Sequence, residues 1–291
     1  MTDIALPLMK ESAHIPAETE LMGRLLIESG VIRIGDLERI LQLQKQKGLR
    51  FGEAAQMLGL VTADDIRTIL SRQFSYPVVA QKDHTLSPRL IAAVMPDSPR
   101  VEALRSLRSE LMLRFFNQAE NRTLAVIAVD DESGHGDMTA NLAVVFAQLG
   151  ARTLLVDANL RQPSLHSLFS VPNIRGMSDA LAGRAAAVPR NCPPLNDLWL
   201  LNGGTQAPNP QELLAHTRYQ ELMERLAGKF DAVLIHTPTM KTNLDAQVVA
   251  ARAGAVLLVA REHVTPLRAL EKASSRLREI GVKVVGVALS H

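Results

Sequence analysis

The stretch TLAVIAVDDESGHGDMTANLAVVFAQLG, residues 123–150, decides how the rest of the chain is read. A continuous apolar run, TLAVIAV, leads into the acidic, glycine-bearing DDESGHGDMT (Asp130–Thr139), and NLAVVFAQLG then reads as a helix. Strand, glycine loop, helix is the layout of a phosphate-binding loop. Backbone N–H groups and a helix N-terminus hold the phosphates there, a lysine neutralises the outer ones, and a serine or threonine coordinates magnesium. The backbone parts are present in Gly134, Gly136 and a helix start near Asp137–Thr139. The charge is not. Asp137 and Met138 stand where lysine and serine belong, Asp130, Asp131 and Glu132 add carboxylates, and His135 is the loop's one candidate cation. Two unit charges 4 Å apart interact by about 4 kcal/mol at an effective dielectric near 20, whereas the helix dipole supplies only about half a charge. Exchanging lysine for aspartate turns that attraction into repulsion, so tight ATP binding in the usual mode is not expected. Read alone, the loop is more simply an acidic surface loop whose carboxylates cap a helix N-terminus.

Further apolar runs follow: TLLVD (153–157), LWLLN (198–202), AVLIH (232–236), AVLLVA (255–260) and VKVVGVAL (282–289). Short, near-continuous apolar strands alternating with helical patterns predict an α/β fold with a doubly wound, mostly parallel sheet buried on both faces. Such sheets bind ligands beyond the carboxyl ends of their strands, where DDESGHGDMT, DANLRQP and HTPT all fall.

An internal repeat precedes this region. GRLLIESGVIRIGDLERIL (23–41) aligns with GEAAQMLGLVTADDIRTIL (52–70), matching Gly23 with Gly52, Gly30 with Gly59 and Asp36 with Asp65. Each copy ends an apolar helix at a glycine and starts a second one, so the expectation is a small all-α domain of two helix–turn–helix units. The expected organisation is a disordered tail (1–18), the helical module (19–78), a linker (79–98) and the α/β domain (99–291). A net charge of +2 gives no reason to expect nucleic acid or a membrane surface as the main partner. The single cysteine, Cys192, allows no internal disulfide. No secretory signal and no apolar run of roughly 18 residues is present, which points to a cytoplasmic protein.

From about Pro99 onward the segments resemble the cytoplasmic domain of bacterial tyrosine kinases (BY-kinases, of the CpsD/CapB type) that control exopolysaccharide chain length. That family carries a Walker A loop GEGKST, a second acidic motif like LLVDADLRRP, a Walker B like VLIDTPP and a PNPxELL stretch. VPNIRGMSDALAG (171–183) and NPQELL (209–214) match it closely. The resemblance implies a P-loop NTPase-like fold, ATP with Mg2+ as cofactor, and the degenerate nucleotide loop Gly134, His135, Gly136, Asp137, Met138, Thr139. It places the family's catalytic positions at Asp137, Asp157, Asn159 and His236, of which only Asp157 keeps the expected identity. Glu102, Arg105 and Arg108 reproduce the family's ExxRxxR oligomerisation motif; on their own they are equally a solvated helix face with intrahelical pairs. The tyrosine-rich tail that the family phosphorylates has no counterpart, since Tyr76 and Tyr219 are the only tyrosines. Together these changes imply a pseudokinase that has lost ATP and Mg2+. Its implied partners are a membrane-anchored, Wzz-like chain-length determinant or an active kinase paralogue, with the membrane reached only through a partner. An active autokinase with an unusual loop is the competing reading. A partitioning ATPase of the MinD/ParA type would need a lysine early in the loop, and none is there.

The repeat resembles the N-terminal module of type II secretion and pilus ATPases (MshE-like), which chain-length kinases of the EpsG type carry ahead of the kinase domain. Some such modules bind cyclic di-GMP, and that resemblance marks Arg50, Gly52 and Gln73 in the second copy; the first copy has Leu21 in place of the arginine. A protein-docking role is the alternative. No metal site is read from the sequence. His236 with Asp157 is the nearest to one, and a satisfied polar histidine at a strand end is the simpler account of it.

Overall fold

A computed structural model describes residues 17–63, 65, 66, 69, 86–130, 134–241 and 243–290, in two compact units, one within 1–80 and one within 81–291. Residues 1–16, most of the stretch read as a tail, lie outside the described residues, as do Gln73, Tyr76, Asp131, Glu132 and 79–85.

The first unit contains α1 (Ala17–Glu28), α2 (Ile34–Lys47) and α3 (Phe51–Met57) around Leu26, Ile40, Phe51 and Ile69. The internal repeat has a geometric counterpart, position by position. Gly30 and Gly59 both end a helix in the left-handed region, at φ 72° and 68°, which a side chain adopts at a cost. The Asp36 and Asp65 carboxylates each accept the backbone N–H three residues earlier, from Arg33 at 3.0 Å and Thr62 at 2.8 Å. A Cβ added to Gly23 would meet Leu37 at 2.8 Å, and one added to Gly52 would meet Ile66 at 3.1 Å. Leu37 and Ile66 are themselves equivalent in the repeat.

Among the described residues of the second unit, seven strands form one sheet in the order β3-β4-β2-β5-β1-β6-β7. They are β1 (Thr123–Ala128), β2 (Thr153–Asp157), β3 (Arg190–Cys192), β4 (Leu195–Leu201), β5 (Ala232–His236), β6 (Ala255–Arg261) and β7 (Lys283–Ser290). Only β3 runs antiparallel to its neighbour. The five-residue β2 and β5 are buried at every position, as an all-parallel interior sheet requires. The chain leaves β1 towards β2 on one side and later crosses from β5 to β6 on the other. The carboxyl ends of β1, β2 and β5 therefore frame the crevice at the switch point.

The segment read as a linker differs from that expectation. Leu86, Leu90, Ala92 and Ala93 are buried, and α4 (Ile91–Val94) packs on α6 (His135–Ala147), the helix that follows β1. These apolar side chains remove surface from water, which a free linker would leave exposed. From residue 86 onward the segment belongs to the α/β unit. The helix α5 (Pro99–Leu111) continues as a π-turn, Met112–Phe116, which buries Phe115. Cys192 closes β3, and burial pushes its thiol up to about 12.

Candidate functional site

The loop after β1 enters α6 through Gly134, whose φ of 77° provides the turn and whose place at the helix start leaves the next amides without an intrahelical partner. His135 turns inward: it is 3% exposed, and its Nε2 lies 2.9 Å from the Val126 carbonyl. His236, at the end of β5, is 4% exposed, and the two imidazole rings lie 4.6 Å apart. The Nδ1 atoms of both rings are buried and have no hydrogen-bond partner among the described residues. Burial lowers His135 to about 4 in spite of its backbone bond, and lowers His236 well below its usual value, with His135 adding to the effect. Both rings are neutral at pH 7.

Asp157 ends β2 directly beside His236 in the sheet register. Its carboxylate accepts the backbone N–H groups of Asn159 (3.2 Å), Ser164 (2.9 Å) and Leu165 (3.0 Å). Burial nonetheless outweighs these bonds and raises the acid to about 6. Asn159 is buried and accepts from the Gln162 N–H at 3.2 Å, shaping the loop that follows β2. Arg161 turns away to pair with the buried Asp245 at 2.7 Å.

Asp137 does not project freely from the loop. Its two oxygens meet Nη2 and Nε of Arg89 at 2.5 and 2.7 Å, a bidentate ion pair. Asn141, 3% exposed, ties the two backbones together. Its Nδ2 donates to the carbonyls of both Arg89 (2.9 Å) and Asp137 (2.8 Å), and its Oδ1 accepts the Ala92 N–H at 2.8 Å.

These groups surround a cavity of about 220 Å³ lined by Arg89, Gly134–Asp137, Asn159, Gln162–Leu165, Leu168, His236 and Thr237. Of the six loop positions read from the sequence, four line it. Met138 and Thr139 do not, and the Thr139 hydroxyl donates to the His135 carbonyl inside its own helix at 2.9 Å. Arg89 was missed, because no motif marks it and its partner is 48 positions away. Among the described residues no group of three or more His, Cys, Asp or Glu side chains is placed to hold a metal ion.

The remaining candidates lie elsewhere. Arg105 pairs with Glu102 at 3.1 Å on α5, and Arg108 donates to the Val145 carbonyl at 2.8 Å. Arg50 is exposed at the start of α3, and Gly52 makes room for Ile66.

No family model matches the chain. The tyrosine-protein kinase wzc of Salmonella typhimurium is 36% identical over 203 residues, covering 69% of this chain and 28% of that protein. The putative tyrosine-protein kinase CapB of Staphylococcus aureus is 31% identical over 217 residues, covering 73% of this chain and 92% of CapB. Among solved structures, the kinase domain of the Escherichia coli tyrosine kinase ETK superposes with a TM-score of 0.67 at 32% identity, covering 72% of this chain and 82% of that one. The chain thus spans little more than a quarter of the length of wzc, but nearly the whole of CapB. By these matches and by its strand-end loops, the chain belongs to the bacterial tyrosine-protein kinase family, with a P-loop NTPase-like α/β domain.

Proposed function

We propose that this chain is a catalytically degenerate member of its family, acting as a scaffold or regulatory subunit in exopolysaccharide biosynthesis and chain-length control. The observation that carries this reading is the charge of the strand-end cavity. Among the described residues that line it, the one charged cation, Arg89, is paired with Asp137, and both histidines are neutral. ATP with Mg2+ fits this donor set poorly. The lysine position carries an acid, the hydroxyl position carries Met138, and the neighbouring Thr139 hydroxyl is spent on its own helix. Tyr219, the one tyrosine among the described residues, is 1% exposed, which supports a chain that is not its own substrate.

Its partners in this reading are a membrane-anchored chain-length determinant or an active kinase paralogue, met through the α5 face that carries Glu102, Arg105 and Arg108. Recruitment to the cytoplasmic face of a membrane would follow from such a partner; no described helix is long and apolar enough to cross one. The helical module docks a protein or responds to cyclic di-GMP through the exposed Arg50. Calorimetric titration with cyclic di-GMP, against an Arg50→Ala control, separates the two.

The competing reading, an active autokinase, draws on the preserved cavity and on Asp157. Titration with a fluorescent ATP analogue and Mg2+, followed by phosphotyrosine detection after incubation with ATP, decides between them. The expected result is no binding below millimolar concentration and no phosphotyrosine. Micromolar binding with autophosphorylation would sink the degenerate reading.

A further inference from the structure

The Asp137 position reads from sequence as a bare loss of the phosphate-binding cation. The structure places a cation there all the same. Arg89 reaches the cavity from the segment before α4, and its Nη1 has no partner among the described residues. We infer that Arg89 is the cation of this site and that Asp137 is its internal counter-ion, an autoinhibitory contact that shuts out polyphosphates by charge while leaving the cavity's volume intact. The inference rests on the degenerate reading above and gives it a specific cause.

Three observations carry it. The pair is bidentate, which fixes the guanidinium plane as well as its distance. Asn141 holds the backbones of both partners from one buried side chain, so the two charges are brought together by the fold and not by chance contact of long side chains. Asp137 also sits at the third position of α6, where its carboxylate offsets the positive end of the helix dipole. One residue thus cancels both sources of positive potential that the loop would offer an anion. The Arg89 side chain is 61% exposed, so the pair is screened by salt.

The test removes the counter-ion without adding any cation. Full-length protein carrying Asp137→Asn, Arg89→Gln or both is titrated with the fluorescent ATP analogue and with inorganic pyrophosphate at low ionic strength. Asp137→Asn is expected to bind both anions roughly tenfold more tightly than the parent, the scale set by one partly exposed unit charge near the ligand at low ionic strength. In the double variant that gain is expected to disappear, and in Asp137→Asn it is expected to shrink on raising salt. Two outcomes overturn the inference: no gain in Asp137→Asn, or a gain that survives Arg89→Gln. Circular dichroism and the thermal midpoint of each variant establish that the loop is read in a folded protein. Failure here differs from failure of the functional reading, which would show as micromolar binding and autophosphorylation by the unaltered chain.

Discussion

His135 and His236 set the pH response of the site. Both are held neutral by burial, with folded values below the ordinary 6.5. A depressed histidine contributes stability that is fully present above its unfolded value and is lost as pH falls through its folded one. For His135 that window runs from about 6.5 down to about 4. Asp157 acts with the opposite sign. Its raised value favours the protonated acid, so its contribution is fully present below 3.8 and is lost as pH rises through about 6. Two histidines oppose one acid, and the urea midpoint is expected to fall between pH 7 and pH 5. His135→Phe should flatten that fall, whereas Asp157→Asn should steepen it. At the same scale, a Cβ added to Gly176 would collide with the backbone of Asn202 and Gly204. Gly176→Ala is therefore expected to cost about 3 kcal/mol or more, read as a lower urea midpoint at unchanged slope. Single residues were legible in proportion to their local signal. Asp137, Asn159 and His236 stood inside strand-end motifs, but the imidazole pairing of His135 with His236 joins residues that are remote in sequence and meet only once β1 and β5 are neighbours.

At the level of elements, α6 is what couples the loop to the segment before α5. Ten of its residues are buried, three of them polar: His135, Thr139 and Asn141. Asn141 satisfies three backbone groups at once. Asn141→Ala leaves the Ala92 N–H buried without its acceptor. The expected cost is about 1–3 kcal/mol for that unsatisfied donor, with faster amide exchange and proteolysis at residues 86–94 as the local readout. The strands were largely legible: β2 and β5 fall on the apolar runs TLLVD and AVLIH without a shift. β3 was not, since Arg190–Cys192 is three residues long, partly polar and paired antiparallel at the sheet edge, too short for any periodicity to register. The segment 86–98 was misread for a related reason. Its pre-proline and polar residues look like connecting chain, and its few apolar side chains acquire meaning only against α6.

Across the whole molecule, the two units carry separate core clusters. Ile40 is fully buried in the smaller one, and Ile40→Ala is expected to cost about 2–5 kcal/mol. A unit of this size has little reserve, so the substitution should remove the helical module's thermal transition and leave that of the α/β unit in place, as followed by calorimetry. One further consequence comes from Tyr219. Burial pushes its phenol well above the usual value, and its hydroxyl meets no described partner. The chain has two tyrosines, and with Tyr219 sealed in the folded protein, Tyr76 is the position that any phosphotyrosine signal on native material reports. In a mixture with an active kinase, the chain is then a one-channel recorder: labelling counts modification in trans at a single address, and Tyr76→Phe supplies its zero.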